Sequence, residues 1–236
     1  MKKGSGRPAT VAWTDMGVVD YREAWQLQEA LLDSLKAENP ASGNEAGYLL
    51  LVEHPHVYTL GRNGKPDNMI ATAAQLRERH AELIRVNRGG DITYHGPGQL
   101  VAYPILKLYR LGIGVREYVH RLEEVVIRAV GGCGLAGERM EKASGVWLEP
   151  RTPAARKICA VGVRCSRAIT MHGFALNVST DMTYFSCINP CGFVEKGVTS
   201  LEKETGKKVS MNDVKQLVLR HFAVVFGVEL TVLNRP

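Results

Sequence analysis

Two reactive side chains stand out by the company they keep. Cys191 sits between Pro190 and Gly192 in the run Asn189-Pro-Cys-Gly192, and Lys157 opens the apolar run Lys157-Ile-Cys-Ala-Val-Gly-Val163, just after the turn at Pro153. Proline presets its own backbone angle and glycine reaches conformations other residues avoid, so this cysteine is expected in an exposed turn. A free cysteine taken alone is more often buried than reactive, but a Pro-Cys-Gly turn is a poor core position. A unit charge at about 4 Å in a partly screened site interacts by up to roughly 4 kcal/mol, and about 1.4 kcal/mol is one pKa unit. A nearby lysine would therefore draw the thiol from about 8.5 toward neutrality and make it a nucleophile. The same lysine, desolvated and neutral, would instead act as the base, and because the pair titrates as a unit both assignments stay open.

The other thiols and imidazoles are quieter. Cys187 precedes Cys191, but the spacing is not C-x-x-C and no second paired-ligand motif follows, which argues against a redox pair and against a metal site. Cys159 and Cys165 lie in or beside an apolar strand and read as packing residues. His54 and His56 straddle Pro55 and read as turn chemistry, whereas His172, before Gly173, is placed to support the reactive pair.

Arg88 to Gln99, RGGDITYHGPGQ, crowds glycines and a proline around Thr93, Tyr94 and His95. No regular element is expected at that density. The stretch is either a long turn between strands or a loop whose backbone approaches a ligand, with Tyr94 and His95 at its rim. It lacks the GxxxxGK[ST] spacing of a phosphate loop.

The elements that must position these residues follow from periodicity. Asp20 and Glu23 form an acidic capping box, after which Ala24, Leu27, Leu31 and Leu35 recur at helical spacing up to Asn39-Pro40. Tyr48 to Val52 and Val57 to Arg62 read as strands, Thr72 caps a short helix running to His80, and Leu83 to Val86 and Leu100 to Ile105 are further strands. Val115, Tyr118, Val119, Leu122, Val126 and Val130 form one helical stripe that Gly131-Gly132 ends. Gly145 to Leu148, Lys157 to Val163 and Phe174 to Val178 are expected to form an antiparallel meander. Ser210 with Asp213 caps a last helix carrying Val214, Leu217, Val218 and Phe222 to Gly227, and Val228 to Leu233 is a final strand. Hairpins mixed with helices favour one mixed α/β domain over a doubly wound parallel sheet.

Composition narrows the class. The chain has 236 residues, 45% hydrophobic and 23% charged, which suits an ordinary globular core. No run of about 18 apolar residues offers a spanning helix, and no membrane association is expected. The basic start with Lys2, Lys3 and Arg7 lacks the apolar core of a secretory signal, and residues 1–12 are expected as a flexible tail. Five cysteines without regular spacing point to reduced thiols. The net charge of +6 invites nucleic acid, yet Arg116, Glu117, Arg121, Glu123, Glu124 and Arg128 interleave the two signs, and a small acidic protein partner fits as well.

RGGDITYHGPGQ (88 to 99), GVW (145 to 147), RKICAVGVR (156 to 164), HGFALNV (172 to 178) and NPCG (189 to 192), in this order and spacing, resemble the lipoyl(octanoyl) transferases. These are octanoyl-[acyl carrier protein]:protein N-octanoyltransferases. Tyr58 to Arg62 and Gly197 to Leu201 fit the same family, so the resemblance covers nearly all of the chain from about residue 13. It implies an α/β fold shared with biotin and lipoate ligases: a larger mixed sheet flanked by helices, plus a smaller C-terminal sheet, with 13–236 as one catalytic domain. It implies Cys191 as the acyl-thioester nucleophile and Lys157 as its activator. Acyl-substrate positions are implied at Arg88, Gly89, Gly90, Asp91, Ile92, Thr93, Tyr94 and His95, at Ala160, Val161 and Gly162, and at Gly173, Phe174 and Ala175.

The implied donor is octanoyl-acyl carrier protein, and the implied acceptors are lipoyl domains of 2-oxoacid dehydrogenases and the glycine cleavage H protein. No cofactor, metal or nucleic acid is implied, and a monomer is expected. The activated donor supplies the driving force, which accounts for the missing phosphate loop. The rivals are an ATP-dependent lipoate or biotin ligase and a non-catalytic binding module. The expected compartment is bacterial cytoplasm or, since VTSLEKETG and GVRCSRAITMHG are closer to eukaryotic members, the mitochondrial matrix.

Overall fold

Runs such as Leu49 to Val52 and Leu100 to Leu106 are apolar at every position because both of their faces are covered, as strands at the centre of a two-sided sheet require. The computed structural model describes residues 7–38, 43–189 and 196–233 of the chain; Cys191, with Pro190 and Gly192, lies outside the described residues.

In chain order the elements are β1 (Ala9–Val18), α1 (Tyr21–Ala37), β2 (Glu45–Glu53), β3 (Val57–Leu60), α2 (Ala73–Glu78), β4 (Glu82–Arg85), β5 (Ile92–His95) and β6 (Gln99–Leu106). Then come α3 (Val115–Gly132), β7 (Glu138–Met140), β8 (Ala143–Leu148), β9 (Arg156–Ser166), β10 (Ile169–Asn177), β11 (Gly197–Val198), α4 (Leu201–Thr205), α5 (Met211–Phe226) and β12 (Val228–Val232). The larger sheet runs β12-β1-β2-β6-β10-β9-β8-β7, with β11 added beside β9, and the smaller is β4-β3-β5. The β12-β1-β2 pairs and β11-β9 are parallel, and the rest of the larger sheet is antiparallel.

The expected meander is therefore present as β8-β9-β10. The smaller sheet, however, is built from residues 57–95 and not from the C-terminal motifs, which extend the larger sheet instead. β1 starts at Ala9, inside the stretch expected as a tail, and is held between two parallel neighbours.

Alternation along each strand divides the core into two layers. Leu49, Leu51, Leu100, Ala102, Phe174 and Leu176 face α3 and α5. Leu50, Val52, Val101, Tyr103, Ile105 and Ala175 face α1. α1 begins where Asp20 accepts from the backbone N–H groups of Arg22 and Glu23, and it buries Tyr21, Ala24, Gln28, Leu32 and Leu35. That stripe is rotated from the expected Ala24, Leu27, Leu31 and Leu35, because the buried amide of Gln28 accepts a hydrogen bond from the backbone of His172 at 2.9 Å.

Proline in the central strand β6 removes a ladder donor at Pro104. The Thr170 hydroxyl compensates, donating to the Pro104 carbonyl at 2.8 Å and accepting from the Leu106 N–H at 3.0 Å. Among the described residues no helix is long and apolar enough to cross a membrane.

Candidate active site

On the α1 side of the larger sheet lies a cavity of about 550 Å³. Its floor is made of small or flat positions from neighbouring strands in register: Ala160 opposite Ala175 opposite Val101, and Gly162 opposite Gly173. Its roof is the stretch Arg88 to Thr93. The roof lies directly on the floor, since the Gly89 N–H donates to the Val163 carbonyl at 2.9 Å. A Cβ at Gly162 would stand 3.1 Å from Arg88 Cδ, so a larger residue there would push the roof away. A Cβ at Gly173 would stand 2.1 Å from the Ala102 carbonyl oxygen, which lets β10 and β6 pair at this point.

Lys157 reaches this face through an irregularity that strand periodicity hides. Ile158 and Cys159 are consecutive yet both belong to the core under α3 and α5, and the β8–β9 register shifts between Val146 and Trp147. The extra residue resets the alternation and turns Lys157 toward the cavity, as bulges commonly do beside functional sites. There its Nζ lies 4.6 Å from the centroid of the Trp147 ring, and Lys196 Nζ lies 5.8 Å from the same centroid. The indole is fixed by its Nε1–H, which donates to the Ala143 carbonyl at 3.1 Å. Such cation–π contacts contribute about 0.5–2 kcal/mol, more where water is excluded.

Of the expected substrate positions, Arg88 to Thr93, His95, Ala160 to Gly162 and Gly173 to Ala175 all line the cavity together with Lys157. Val161 and Phe174 pack their side chains on the opposite face, so the cavity meets them along the backbone. Tyr94 departs from the expectation. In the two-residue period of β5 it points away from Thr93 and His95, into an aromatic stack with His56, Tyr58 and Tyr184. β5 itself lies inside the stretch expected to hold no regular element, and pairs with β3.

A directional hydrogen-bond chain ties roof to floor. Buried Arg88 donates through Nη2 to Thr59 Oγ1 at 2.9 Å and to the Thr59 carbonyl at 2.6 Å. The Thr59 hydroxyl then donates to His95 Nε2 at 3.3 Å, and His95 Nδ1 donates to Gln99 Oε1 at 2.7 Å. Gln99 donates to Asn177 Oδ1 at 2.9 Å, Asn177 to the Thr199 carbonyl at 2.9 Å, and the Thr199 N–H to the Lys157 carbonyl at 3.0 Å. This order requires a neutral imidazole at His95, and burial holds its pKa well below the ordinary histidine value, with His54 and Arg88 adding to the effect. Thr59, Gln99, Asn177 and Thr199 received no role from the sequence, although each sits inside a motif that carried the family resemblance.

Two further buried histidines brace the α1 side. His54, expected in turn chemistry, donates through Nδ1 to the Val19 carbonyl at 2.7 Å and accepts at Nε2 from the Tyr103 hydroxyl at 2.7 Å. Burial pushes its pKa down to about 4. His172 lines the cavity, holds φ at 59° within β10, and donates from Nε2 to Asn87 Oδ1 at 2.7 Å. Burial, then the Arg88 charge, pushes it down to about 3. The thiols expected to be packing residues behave so: Cys159 is fully buried and burial raises its pKa. Among the described residues, no cluster of His, Cys, Asp or Glu side chains is arranged to hold a metal ion.

Residues 20–223 match the lipoyl protein ligase A/B catalytic domain family. A bi-partite lipoate protein ligase from Thermoplasma acidophilum shares the fold, with a TM-score of 0.66 over 98% of this chain and 89% of that one at 13% identity. Lipoate-protein ligase A bound with ATP gives 0.67 over 97% and 90% at 14% identity. Sequence relatives are closer. The octanoyltransferase of Bacteroides thetaiotaomicron is 55% identical over 205 residues, 86% of this chain and 89% of that one. That of Christiangramia forsetii is 47% identical over 223 residues, 92% and 95%. The chain belongs to the octanoyltransferase family.

Proposed function

We propose that this chain moves an octanoyl group from the thioester of an acyl carrier protein to a lysine of a lipoyl domain, by way of a thioester on Cys191. The observation that carries the reading is the slot itself: a floor of Gly162, Gly173, Ala160, Ala175 and Val101, closed above by the Arg88 loop, with Lys157 at one edge. Such a slot suits an unbranched hydrocarbon chain. Each buried CH2 contributes roughly 0.8 kcal/mol, so an octanoyl group is held well and shorter chains progressively less. Lys196, Gly197 and Val198, which follow soon after Cys191 in the chain, line the same cavity as Lys157.

In the first step the Cys191 thiolate attacks the donor carbonyl, a new C–S bond forms, and the carrier's sulfur leaves with its electron pair and takes up a proton. One thioester replaces another, so little free energy changes. In the second step the acceptor lysine's amine attacks the Cys191 thioester, an amide forms, the thiolate is released and the amine's proton passes to a base. Lys157 serves the ionisation of the cysteine in both steps. Lipoyl domains of 2-oxoacid dehydrogenases and the glycine cleavage H protein are the proposed acceptors.

The test is transfer from octanoyl-acyl carrier protein to a purified lipoyl domain without ATP. Transfer at full rate is expected; a requirement for free octanoate with ATP would assign the chain to the ligases.

A further inference from the structure

We infer that Tyr21 is the end wall of the acyl slot and sets the longest chain the enzyme accepts. The inference rests on the proposed octanoyl transfer and adds to it the residue that limits chain length.

From Lys157 on β9 the slot crosses β10 and reaches β6, two strand spacings or roughly 10 Å. Lining the cavity together with Val101 and Tyr103 of β6 is Tyr21, the first residue of α1, with 2% of its surface exposed. Its ring is pinned from several sides. It stacks on His95 with centroids 5.7 Å apart at 19°, tilts against His54 at 5.1 Å, and meets Trp25 edge-on at 6.5 Å. The Asp20 cap fixes where the helix, and hence the ring, begins.

Tyr21 also lines a second cavity of about 390 Å³, bounded by Asp20, Pro55, His56, Arg77, His80 and Glu82. Among the described residues lining the two cavities, Tyr21 is the one common to both. Its ring is therefore a partition. An acyl chain entering from the Lys157 edge meets it head-on, and a longer chain must displace a ring held by its contacts with His95, His54 and Trp25. Removing the ring joins the two spaces. The second cavity is lined about equally by polar groups and by apolar ones such as Pro55, Val57 and Ala81, so it relieves a steric block and offers a longer chain only partial apolar contact. Longer chains should thus become tolerated, while octanoyl stays a substrate.

The experiment compares octanoyl- and dodecanoyl-acyl carrier protein as donors for the wild type, Tyr21→Ala, Tyr21→Leu and Tyr21→Phe. Acyl adducts are read by intact mass and transfer by rate, with circular dichroism confirming the fold. The dodecanoyl-to-octanoyl rate ratio is expected to rise at least tenfold in Tyr21→Ala and Tyr21→Leu, and to stay at the wild-type value in Tyr21→Phe, which keeps the ring. Leucine retains apolar contact with Val57, Ile84 and Val86 if alanine fails to fold. Octanoyl transfer by the wild type with an unchanged ratio in the ring-less variants overturns this inference alone. Absence of octanoyl transfer by the wild type overturns the proposed function and this inference with it.

Discussion

Gly162 and Gly173 face each other across β9 and β10, and exchanging each for alanine should give opposite results. At Gly162 the new methyl would lie 3.1 Å from Arg88 Cδ and 3.2 Å from the Gly89 carbonyl oxygen. Both belong to the roof, which can lift by a few tenths of an ångström. Because these neighbours can give way, overpacking costs near the low end of about 1–3 kcal/mol, offset by about 0.4–1 kcal/mol from the stiffer unfolded chain, so the net loss is below about 1 kcal/mol. At Gly173 the methyl would lie 2.1 Å from the Ala102 carbonyl oxygen and 2.7 Å from Pro104 Cδ, both parts of a central strand with no room to move. There the cost should reach about 3 kcal/mol or more. For a chain of this size about 1 kcal/mol moves the melting temperature by roughly 2–4 °C, so Gly173→Ala should melt about 6–12 °C lower and Gly162→Ala within a few degrees of wild type. Displacing the roof should nevertheless lower kcat/KM of Gly162→Ala up to about tenfold, since misplacements near 1 Å cost roughly a hundredfold. Thermal melts and steady-state octanoyl transfer on both variants decide the matter. A Gly162→Ala enzyme that melts as low as Gly173→Ala, or transfers octanoyl at the wild-type rate, would refute the roof-on-floor account.

Further outcomes follow from the polar framework. Glu204 makes a paired hydrogen bond with Arg156 at 2.6 Å for each arm and accepts from the Thr199 hydroxyl; these partners, Arg156 first, hold its carboxyl below the ordinary carboxylate value. Its contribution is therefore present above the ordinary pKa and lost as pH falls through the depressed one, and Glu204→Gln should cost about 1–3 kcal/mol at pH 7 in urea unfolding while flattening that acid limb. His54, His95 and His172 are buried neutral, with pKa values of about 4, well below the ordinary value, and about 3 respectively. The unfolded chain binds more protons below about pH 6.5, so stability should fall by about 1.4 kcal/mol per pH unit for each histidine between roughly pH 6 and 4; His54→Phe should make that slope measurably shallower. Gln28→Leu strands the His172 N–H and should cost about 1–3 kcal/mol, measured by the shift of the urea midpoint.

How much of this was legible beforehand depended on whether a residue's partner lay in its own element. The apolar runs of β2, β6 and β9 and the capped ends of α1, α2 and α5 were readable because alternation, caps and terminal glycines are local signals. Apolar spacing places the stripe of α1 on Leu27 and Leu31 because it skips Gln28, whose burial is justified by a backbone N–H 144 residues away. The apolar pattern starts β10 only at Phe174, although the strand begins at Ile169, because Thr170 and His172 interrupt it; their partners lie on β6 and α1. The bulge that turns Lys157 toward the cavity is a property of the β8–β9 register, so no pattern within β9 reveals it. Tyr94 shared a motif with true cavity residues and was separated from them only by the pleat of β5. The family resemblance supplied the neighbourhood of the site, while the chain from Arg88 to Thr199 needed three dimensions.

The central claim is that one sulfur carries the acyl group between two proteins. Intact mass spectrometry after brief exposure to octanoyl-acyl carrier protein, with no acceptor present, tests it directly. The wild type should gain one octanoyl group, Lys157→Ala should gain it far more slowly, and Cys191→Ala should gain none and support no transfer to a lipoyl domain. An octanoyl adduct and transfer rate equal to wild type in Cys191→Ala would contradict the account.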